Sequence, residues 1–446
     1  MAKRLFGTDG IRGVAGEPPL DPATVMALGM ALGADLQKQG LGARRVLVGM
    51  DTRESGPAIA AQLAHGLAQR NVEVAFAGVV TTPGVAYLAR TGDFAAGVMI
   101  SASHNPFADN GIKVFAKTGF KLPDAEEHEI EEEIFRVLPE LHALSAPAPL
   151  TASYSVRRYL DFLLSTLTVS LDGMRVVLDC GNGAASALAP ELFREAGAQV
   201  TAIHNTPNGR NINLNCGALH LEDLRRHVVE SKADAGVAFD GDADRALLVA
   251  PSGRVVDGDA VLLIAARRLH ADGQLPGSLI VSTVMSNLGL EKALTAHGIE
   301  MLRTSVGDKY VLEEMLRRES PLGGEQSGHV IFREYSTTGD GMLTALKVLE
   351  TAAREGATLD DLAAEMVVYP QILLNVRVKE KKPLAEMPHT RDVILACEAE
   401  LAGSGRVLVR FSGTEPLLRV MVEGPEQSLT ESLAQRIVDA IKTELG

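Results

Sequence analysis

Apolar strand-like runs alternate with Ala/Leu-rich helical stretches along this chain, and that alternation restricts the fold to βαβ units with mixed or mostly parallel sheets. Arg45–Met50 (RVLVGM) precedes the helical Ala58–Gln69, and Val72–Val80 reads as the next strand. Asp93–Ile100 (DFAAGVMI) leads into a polar loop and then the acidic helix Ala125–Leu138. The order returns with Met174–Asp179, the helix Ala187–Ala196 and Gln199–His204. It returns again with the helical Ala260–His270, Ser278–Ser282, Leu288–His297 and Met301–Thr304. Beyond Tyr369-Pro370 the pattern changes to the strands Ile372–Val378, Val407–Phe411 and Leu418–Glu423, closed by the helix Ser428–Leu445.

The Pro- and Ser-bearing stretch Leu144–Ser155 is the clearest linker, with further boundaries near Val255–Gly258 and Tyr369-Pro370. These divide the 446 residues into α/β domains at 1–153, 154–255 and 256–369 and a smaller domain at 370–446. The first three look alike in their βα order. Forty-three Lys and Arg against 57 Asp and Glu leave a net charge of -14, which repels nucleic acid and anionic membranes. Any phosphate must therefore be caught by a few local donors. Aromatic residues at 4% with no Trp argue further against a base-stacking platform. Cys180, Cys216 and Cys397 show no CxxC or Cys/His ligand spacing, so neither a disulfide framework nor a zinc site is indicated. With no run of about 18 apolar residues and no signal-peptide core, a soluble, cytoplasmic protein is expected.

The densest chemical signal is Phe239-Asp240-Gly241-Asp242-Ala243-Asp244-Arg245, set between the apolar runs Ala235–Phe239 and Ala246–Val249. Carboxylates at alternate positions repel by about 4 kcal/mol per pair at about 4 Å and an effective dielectric of about 20, and a divalent cation removes that cost. An EF-hand fails on register, because Arg245 and Pro251 stand where its loop needs Gly and Glu. Three carboxylates with positions left open suit Mg²⁺, and Arg245 would help neutralise a transferring phosphoryl group. A solvated acidic turn is the plainer alternative for this loop alone.

Four other clusters are weaker singly. Ser101-Ala-Ser103-His104-Asn105-Pro106 follows an apolar run, so its serines enter a loop at a strand end. No GxSxG elbow surrounds Ser103, and His104 is poorly placed as its base. Lys113, just past the Asn110-Gly111 turn, reads as a surface lysine. Gly323-Gly324-Glu325-Gln326-Ser327-Gly328-His329 places Glu325 and Ser327 on one side of an extended chain, suited to sugar hydroxyls or to a plain hairpin. Arg410-Phe-Ser412-Gly413-Thr414-Glu415-Pro416-Leu-Leu-Arg419 offers hydroxyl, backbone and guanidinium donors around one phosphate, or arginines paired to surface carboxylates. Phe6-Gly-Thr8-Asp-Gly-Ile-Arg12-Gly13 holds a polar ligand or forms a tight turn. Asp179-Cys-Gly181-Asn-Gly183-Ala-Ala-Ser186 approaches a dinucleotide fingerprint but lacks its third glycine and its ribose-binding acid, which leaves a structural loop.

Taken in order, these elements resemble the alpha-D-phosphohexomutase family over essentially the whole chain. The resemblance implies three similar α/β domains and a C-terminal TATA-box-binding-protein-like α+β domain around a central cleft. It implies that Ser103 is phosphorylated in the resting enzyme. It also implies that Asp240, Asp242 and Asp244, with a phosphoryl oxygen on Ser103, bind one Mg²⁺ per active site. Arg410, Ser412, Gly413, Thr414 and Arg419 match the loop for the non-reacting phosphate, and Glu325 and Ser327 the sugar-hydroxyl loop. Thr8, Arg12 and His104 would add substrate contacts, Arg245 charge neutralisation, and Lys113 and His329 the acid/base chemistry. Gln326 and the GTDGIRG start are similar to the branch acting on glucosamine phosphates, whereas the glucose/mannose branch more often shows GEMSGH. The reaction implied is a reversible exchange of glucosamine 6-phosphate and glucosamine 1-phosphate through glucosamine 1,6-bisphosphate, feeding UDP-N-acetylglucosamine and cell-wall precursor synthesis. Dimers occur among relatives, so a homodimer is also implied. The alternatives are a phosphomannomutase/phosphoglucomutase, a metal-dependent sugar phosphatase and a silent sugar-phosphate-binding scaffold.

Overall fold

The computed structural model of the chain describes residues 5–7, 9–40, 45–141, 147–379, 382–411 and 417–445. Its Cα atoms group into two compact units, Met1–Val284 with Leu302–Ala363, and Met285–Met301 with Ala364–Gly446. Among the described residues there are four sheets, three of them mixed or α/β in character and one purely antiparallel.

The first sheet runs Phe6–Gly7, Gly10–Val14, Asp109–Ala116, Ala96–Ile100, Arg45–Met50, Glu73–Val79. Its last three strands are parallel, and Asp109–Ala116 returns antiparallel to Ala96–Ile100. The second sheet runs Val255–Val256, Ala246–Val249, Ala235–Phe239, Arg175–Asp179, Gln199–Ile203, again with three parallel strands and an antiparallel return. The third runs Glu300–Thr304, Leu279–Thr283, Leu322–Gly324, Val330–Phe332, and Val330–Phe332 is its antiparallel return. Each sheet therefore places one loop at the carboxyl end of a parallel strand, just before the return strand. Those loops hold Ser103, the three aspartates and Glu325, the positions where open α/β sheets gather their ligands.

Local chemistry sets the helices that pack these sheets. Asp21 caps Pro22–Lys38, accepting from the Ala23 and Thr24 amides at 3.1 and 3.2 Å, with Pro22 in the first turn. Thr81 and Asp340 cap Thr82–Thr91 and Gly341–Glu355 in the same way. In the second unit, Gln371–Arg377, Leu417–Glu423 and Arg406–Phe411 form the antiparallel sheet. Pro388–Leu401 and Gln427–Leu445 bury Cys397, Leu401, Leu433, Ile437 and Ile441 with the sheet residues Val420 and Val422. Helix Leu288–Ala296 joins this unit, its Leu288 amide donating to Glu423 Oε1 at 2.9 Å. No helix among the described residues is long and apolar enough to cross a membrane.

One sequence expectation is corrected here. Asn110-Gly111 is not a turn in a polar loop: Asp109–Ala116 is a strand paired on both sides, so Lys113 is 1% exposed rather than a surface lysine. Gly111 serves a close backbone approach, since a Cβ there would lie 2.5 Å from the Ser101 carbonyl oxygen.

Helices Pro22–Lys38 and Gly56–Ala68 cross backbone to backbone. A Cβ on Gly66 would meet the Met26 carbonyl oxygen at 2.2 Å, and one on Gly29 the Leu63 carbonyl oxygen at 2.3 Å. Gly66→Val is expected to cost about 3 kcal/mol, the upper part of the overpacking range. It should appear as a lower urea midpoint, and an unchanged midpoint would contradict the crossing.

Candidate active site

The loop after Ala96–Ile100 is shaped from below by a fully buried arginine. Arg53 pairs with Asp51 at 2.8 Å and donates to the carbonyls of Ser103, Asn105 and Asp109 at 2.8–2.9 Å. Asn213 Nδ2 donates to the same Ser103 carbonyl at 2.9 Å, and the Ser103 amide donates to Ser101 Oγ at 2.9 Å. Ser103 is held at φ 53°, a left-handed conformation that costs a non-glycine residue of order 1–3 kcal/mol. Its hydroxyl donates to Asp240 Oδ2 at 2.6 Å and lies 3.3 Å from His104 Nδ1.

The Ser103 loop and the acidic loop touch along their backbones. A Cβ on Gly241 would lie 2.4 Å from the Ser103 carbonyl oxygen, so only glycine lets Asp240 reach the serine. Asp240, Asp242 and Asp244 are all buried, with ligand oxygens within 4.8 Å of one another. Burial, then the charges of Asp244 and Asp242, push the Asp240 carboxyl well above its ordinary range. Asp242 Oδ2 accepts from Thr82 Oγ1 at 2.5 Å and Lys113 Nζ at 3.0 Å, whereas Asp242 Oδ1 and Asp244 Oδ1 are buried and accept no hydrogen bond. Buried carboxylate oxygens with no donor within hydrogen-bond distance, Asp244 Oδ1 having His329 Nδ1 and Arg245 Nε only at 3.6 and 3.8 Å, fit a hard divalent cation, and the triad suits Mg²⁺.

Around the triad lies a run of alternating charges that a histidine closes into a ring. Lys113 Nζ contacts Asp244 Oδ2 at 3.3 Å and Asp9 Oδ2 at 3.1 Å. Asp9 Oδ1 contacts Lys121 Nζ at 2.5 Å, and Lys121 contacts Asp308 Oδ2 at 2.6 Å. His329 closes the ring, its Nε2 3.6 Å from Asp308 Oδ2 and its Nδ1 3.6 Å from Asp244 Oδ1. Burial opposes every charge in it, but the partners win. Asp242, Asp9 and Asp244 hold Lys113 well above its ordinary range, and Lys113, Lys121 and Arg12 hold Asp9 well below its own. Burial likewise opposes protonation of His329, and Asp244 and Asp308 outweigh it. The Gly339 amide donates to His329 Nε2 at 3.0 Å, which leaves Nδ1 facing Asp244 in the neutral tautomer.

A cleft of about 450 Å³ opens beside the ring, lined by Asp9, Arg12, His104, Asp244, Arg245, Asp308, Glu325 and His329 among others. Four side chains singled out for substrate or proton chemistry, Arg12, His104, Glu325 and His329, thus share one wall with the acidic loop. Partial burial, and then the Arg245 and Arg12 charges, lower the His104 pKa from its ordinary value. Glu325 Oε1 accepts from the Gly307 amide at 3.0 Å, and Ser327 Oγ lies 3.4 Å from its Oε2. Gln326 turns to Asp257, which caps helix Gly258–Ala271, at 3.2 Å. In the second unit, Arg410 and Arg419 stand directly opposite on neighbouring strands. Burial, then the Arg419 charge, lowers the Arg410 pKa, a repulsion that an anion between them would relieve. Thr8, Ser412, Gly413 and Thr414 lie outside the described residues.

Sequence reasoning missed Arg53, Asp9, Thr82, Lys121 and Asp308. Asp9 stood inside a motif already flagged, but the other four lie in no motif, and only their contacts identify them.

Four family models match the chain. They are described as phosphoglucomutase/phosphomannomutase alpha/beta/alpha domain I over residues 3–139, domain II over 157–253, domain III over 257–369, and C-terminal domain over 373–440. The phosphoglucosamine mutase of Solibacter usitatus (strain Ellin6076) is 61% identical over 449 residues and 100% of both chains. That of Koribacter versatilis (strain Ellin345) is 52% identical over 453 residues, covering 100% of this chain and 98% of the other. The solved structure of a putative phosphomannomutase from Thermus thermophilus gives a TM-score of 0.79 at 25% identity, covering 99% and 100% of the two chains. Aspergillus fumigatus N-acetylphosphoglucosamine mutase, solved with GlcNAc-6P and magnesium, shares the fold at a TM-score of 0.68 and 19% identity, covering 100% and 96%.

Lys113→Met would leave Asp9, Asp242 and Asp244 buried without their shared cation. The expected cost is about 3–5 kcal/mol of stability, the range for breaking a buried ion pair. Added Mg²⁺ should restore part of it. Urea unfolding with and without Mg²⁺ reads both effects, and a variant as stable as the parent would remove the ring from any structural role.

Proposed function

The chain belongs to the phosphoglucomutase/phosphomannomutase family, and from that membership we propose that it interconverts glucosamine 6-phosphate and glucosamine 1-phosphate, the reaction for which its 61%-identical relative is named. The observation that carries the reading is the Ser103 hydroxyl 2.6 Å from Asp240 within a buried carboxylate triad. A serine that carries a phosphoryl group needs its charge neutralised at that point, and phosphoryl transfer is catalysed chiefly by position and electrostatics.

In this reading the resting enzyme holds a phosphate on Ser103. The Ser103–phosphate bond breaks as a free sugar hydroxyl attacks phosphorus, giving glucosamine 1,6-bisphosphate. The sugar turns over, and its other phosphate returns to Ser103. Asp240, Asp242 and Asp244 would hold Mg²⁺, which supplies neutralisation of phosphoryl oxygen charge when bound. Arg245 and Arg12, on the cleft wall, add positive charge beside the same position. Lys113, gripped by three carboxylates, keeps its proton and balances the triad. His329 reaches the cleft wall and is assigned the sugar proton, which it takes from or returns to the attacking and leaving oxygens. Glu325 and Ser327 accept from sugar hydroxyls, His104 and Thr8 contact the substrate, and the loop of Arg410, Ser412, Gly413, Thr414 and Arg419 takes the phosphate that is not reacting.

The matched family spans support domains at 1–153, 154–255, 256–369 and 370–446. A reducing, cytoplasmic location accords with three buried cysteines that form no disulfide. The homodimer is carried over from the resemblance to relatives.

Ser103→Ala is expected to retain the fold and lose several orders of magnitude in mutase turnover. Isotope from a labelled bisphosphate should appear on the Ser103 peptide of the parent. Label on another residue, or free phosphate accumulating in place of isomer, would overturn the reading. In a panel of glucosamine, N-acetylglucosamine, glucose and mannose 6-phosphates, glucosamine 6-phosphate is expected to turn over fastest.

A further inference from the structure

The loop that approaches a dinucleotide fingerprint plays no part in the reaction above, yet its first residue ends among unlike donors. Asp179 ends strand Arg175–Asp179, His204 follows strand Gln199–Ile203, and Cys216 precedes the short turn Gly217–Leu219. Asp179 and Cys216 are fully buried, while the His204 side chain is 25% exposed and gives the cluster a way in from solvent. We propose that Asp179, His204 and Cys216 form a second metal site that takes a borderline-soft divalent ion such as Zn²⁺.

Three observations point the same way. One oxygen, one nitrogen and one sulfur lie within 4.8 Å of one another. Ligands about 2.0–2.3 Å from a tetrahedral zinc stand about 3.3–3.8 Å apart, so a small adjustment closes the set. His204 Nδ1 is buried 3.0 Å from Asp179 Oδ2, so the two groups already face each other at a spacing that one ion between them could bridge. The other ring nitrogen, Nε2, lies 3.4 Å from Asp223 Oδ2, the carboxylate–histidine arrangement that orients a metal-binding imidazole. Asp179 is itself aimed by the Gly181 and Gly217 amides, which donate to its two oxygens at 2.9 and 3.0 Å. The mixed donor set selects zinc over magnesium, which takes oxygen alone. Binding replaces the Cys216 thiol proton, which leaves to solvent as the sulfur–metal bond forms.

The position suggests what the ion does. Gly181 and Gly217 both press on the Phe239 carbonyl, where added Cβ atoms would stand 3.1 and 2.5 Å from its oxygen. Phe239 is the residue before Asp240, so an ion joining these segments braces the acidic loop from behind without touching it. No Cys/His spacing announces the site, because its ligands come from two strand ends and a separate turn.

The test uses the full chain, stripped with a chelator, saturated with Mg²⁺ and then titrated with Co²⁺. The parent is expected to show thiolate-to-cobalt charge transfer and the intense visible bands of tetrahedral cobalt, both removed stoichiometrically by Zn²⁺. Cys216→Ser should abolish the charge-transfer band, Cys180→Ser should retain it, and His204→Asn should weaken cobalt binding by roughly tenfold or more. Zn²⁺ should also raise the thermal midpoint of the parent but not that of Cys216→Ser. A parent with no charge-transfer band sinks the proposal whatever the variants do, and so does a band that survives Cys216→Ser.

Discussion

Five buried or half-buried charges, Asp244, Lys113, Asp9, Lys121 and Asp308, alternate in sign from one to the next, and His329 lies between the two end carboxylates and closes them into a ring. Taking one such group out of water costs several kcal/mol, and a single partner seldom repays it. A ring supplies two partners to each member and leaves no unpaired end. It also ties together six stretches: the N-terminal turn, the return strand of the first sheet, the Lys121 segment after it, the acidic loop, the start of helix Asp308–Arg318, and the segment before Val330–Phe332. The acidic triad is tolerable inside this unit because Lys113 lies against two of its three carboxylates.

The same geometry accounts for where the chemistry gathers. Three sheets repeat one arrangement, a parallel strand, a loop and an antiparallel return, and the three loops bring a hydroxyl, a carboxylate triad and a polar glycine-rich segment to the first unit. Loop-to-loop contact is made at glycines, with Gly241 against the Ser103 carbonyl and Gly183 against the Gly241 carbonyl, where any Cβ would collide with backbone. Precision here comes from backbone packing, which side-chain motion cannot relax.

Much of this was legible in the residues. The strands Arg45–Met50 and Ala235–Phe239 coincide with their apolar runs, and most of the other elements read from periodicity start within a residue or two of their place, whereas helices such as Pro22–Lys38, Thr82–Thr91, Asp308–Arg318 and Gly341–Glu355 and the strand Asp109–Ala116 were not read at all. The acidic loop and the serine loop were readable because several chemically unlike residues crowd into a few positions. Lys113 was not. A lysine after Asn-Gly reads as exposed until the strands on either side of it are known. Arg53, Thr82, Lys121 and Asp308 stand alone in sequence, and a single charge or hydroxyl on a helix or turn carries no signal of its partner.

The order of apolar and polar residues along the chain was enough to set its class, its division into α/β units and an antiparallel tail, and the loops that bear reactive groups, because those properties depend on neighbours in sequence. Which charges meet in the ring, and that Asp179, His204 and Cys216 face one another, was settled only when segments distant in sequence came within a few ångströms. Electrostatic and ligand interactions act over such distances and are blind to how many residues lie between the partners.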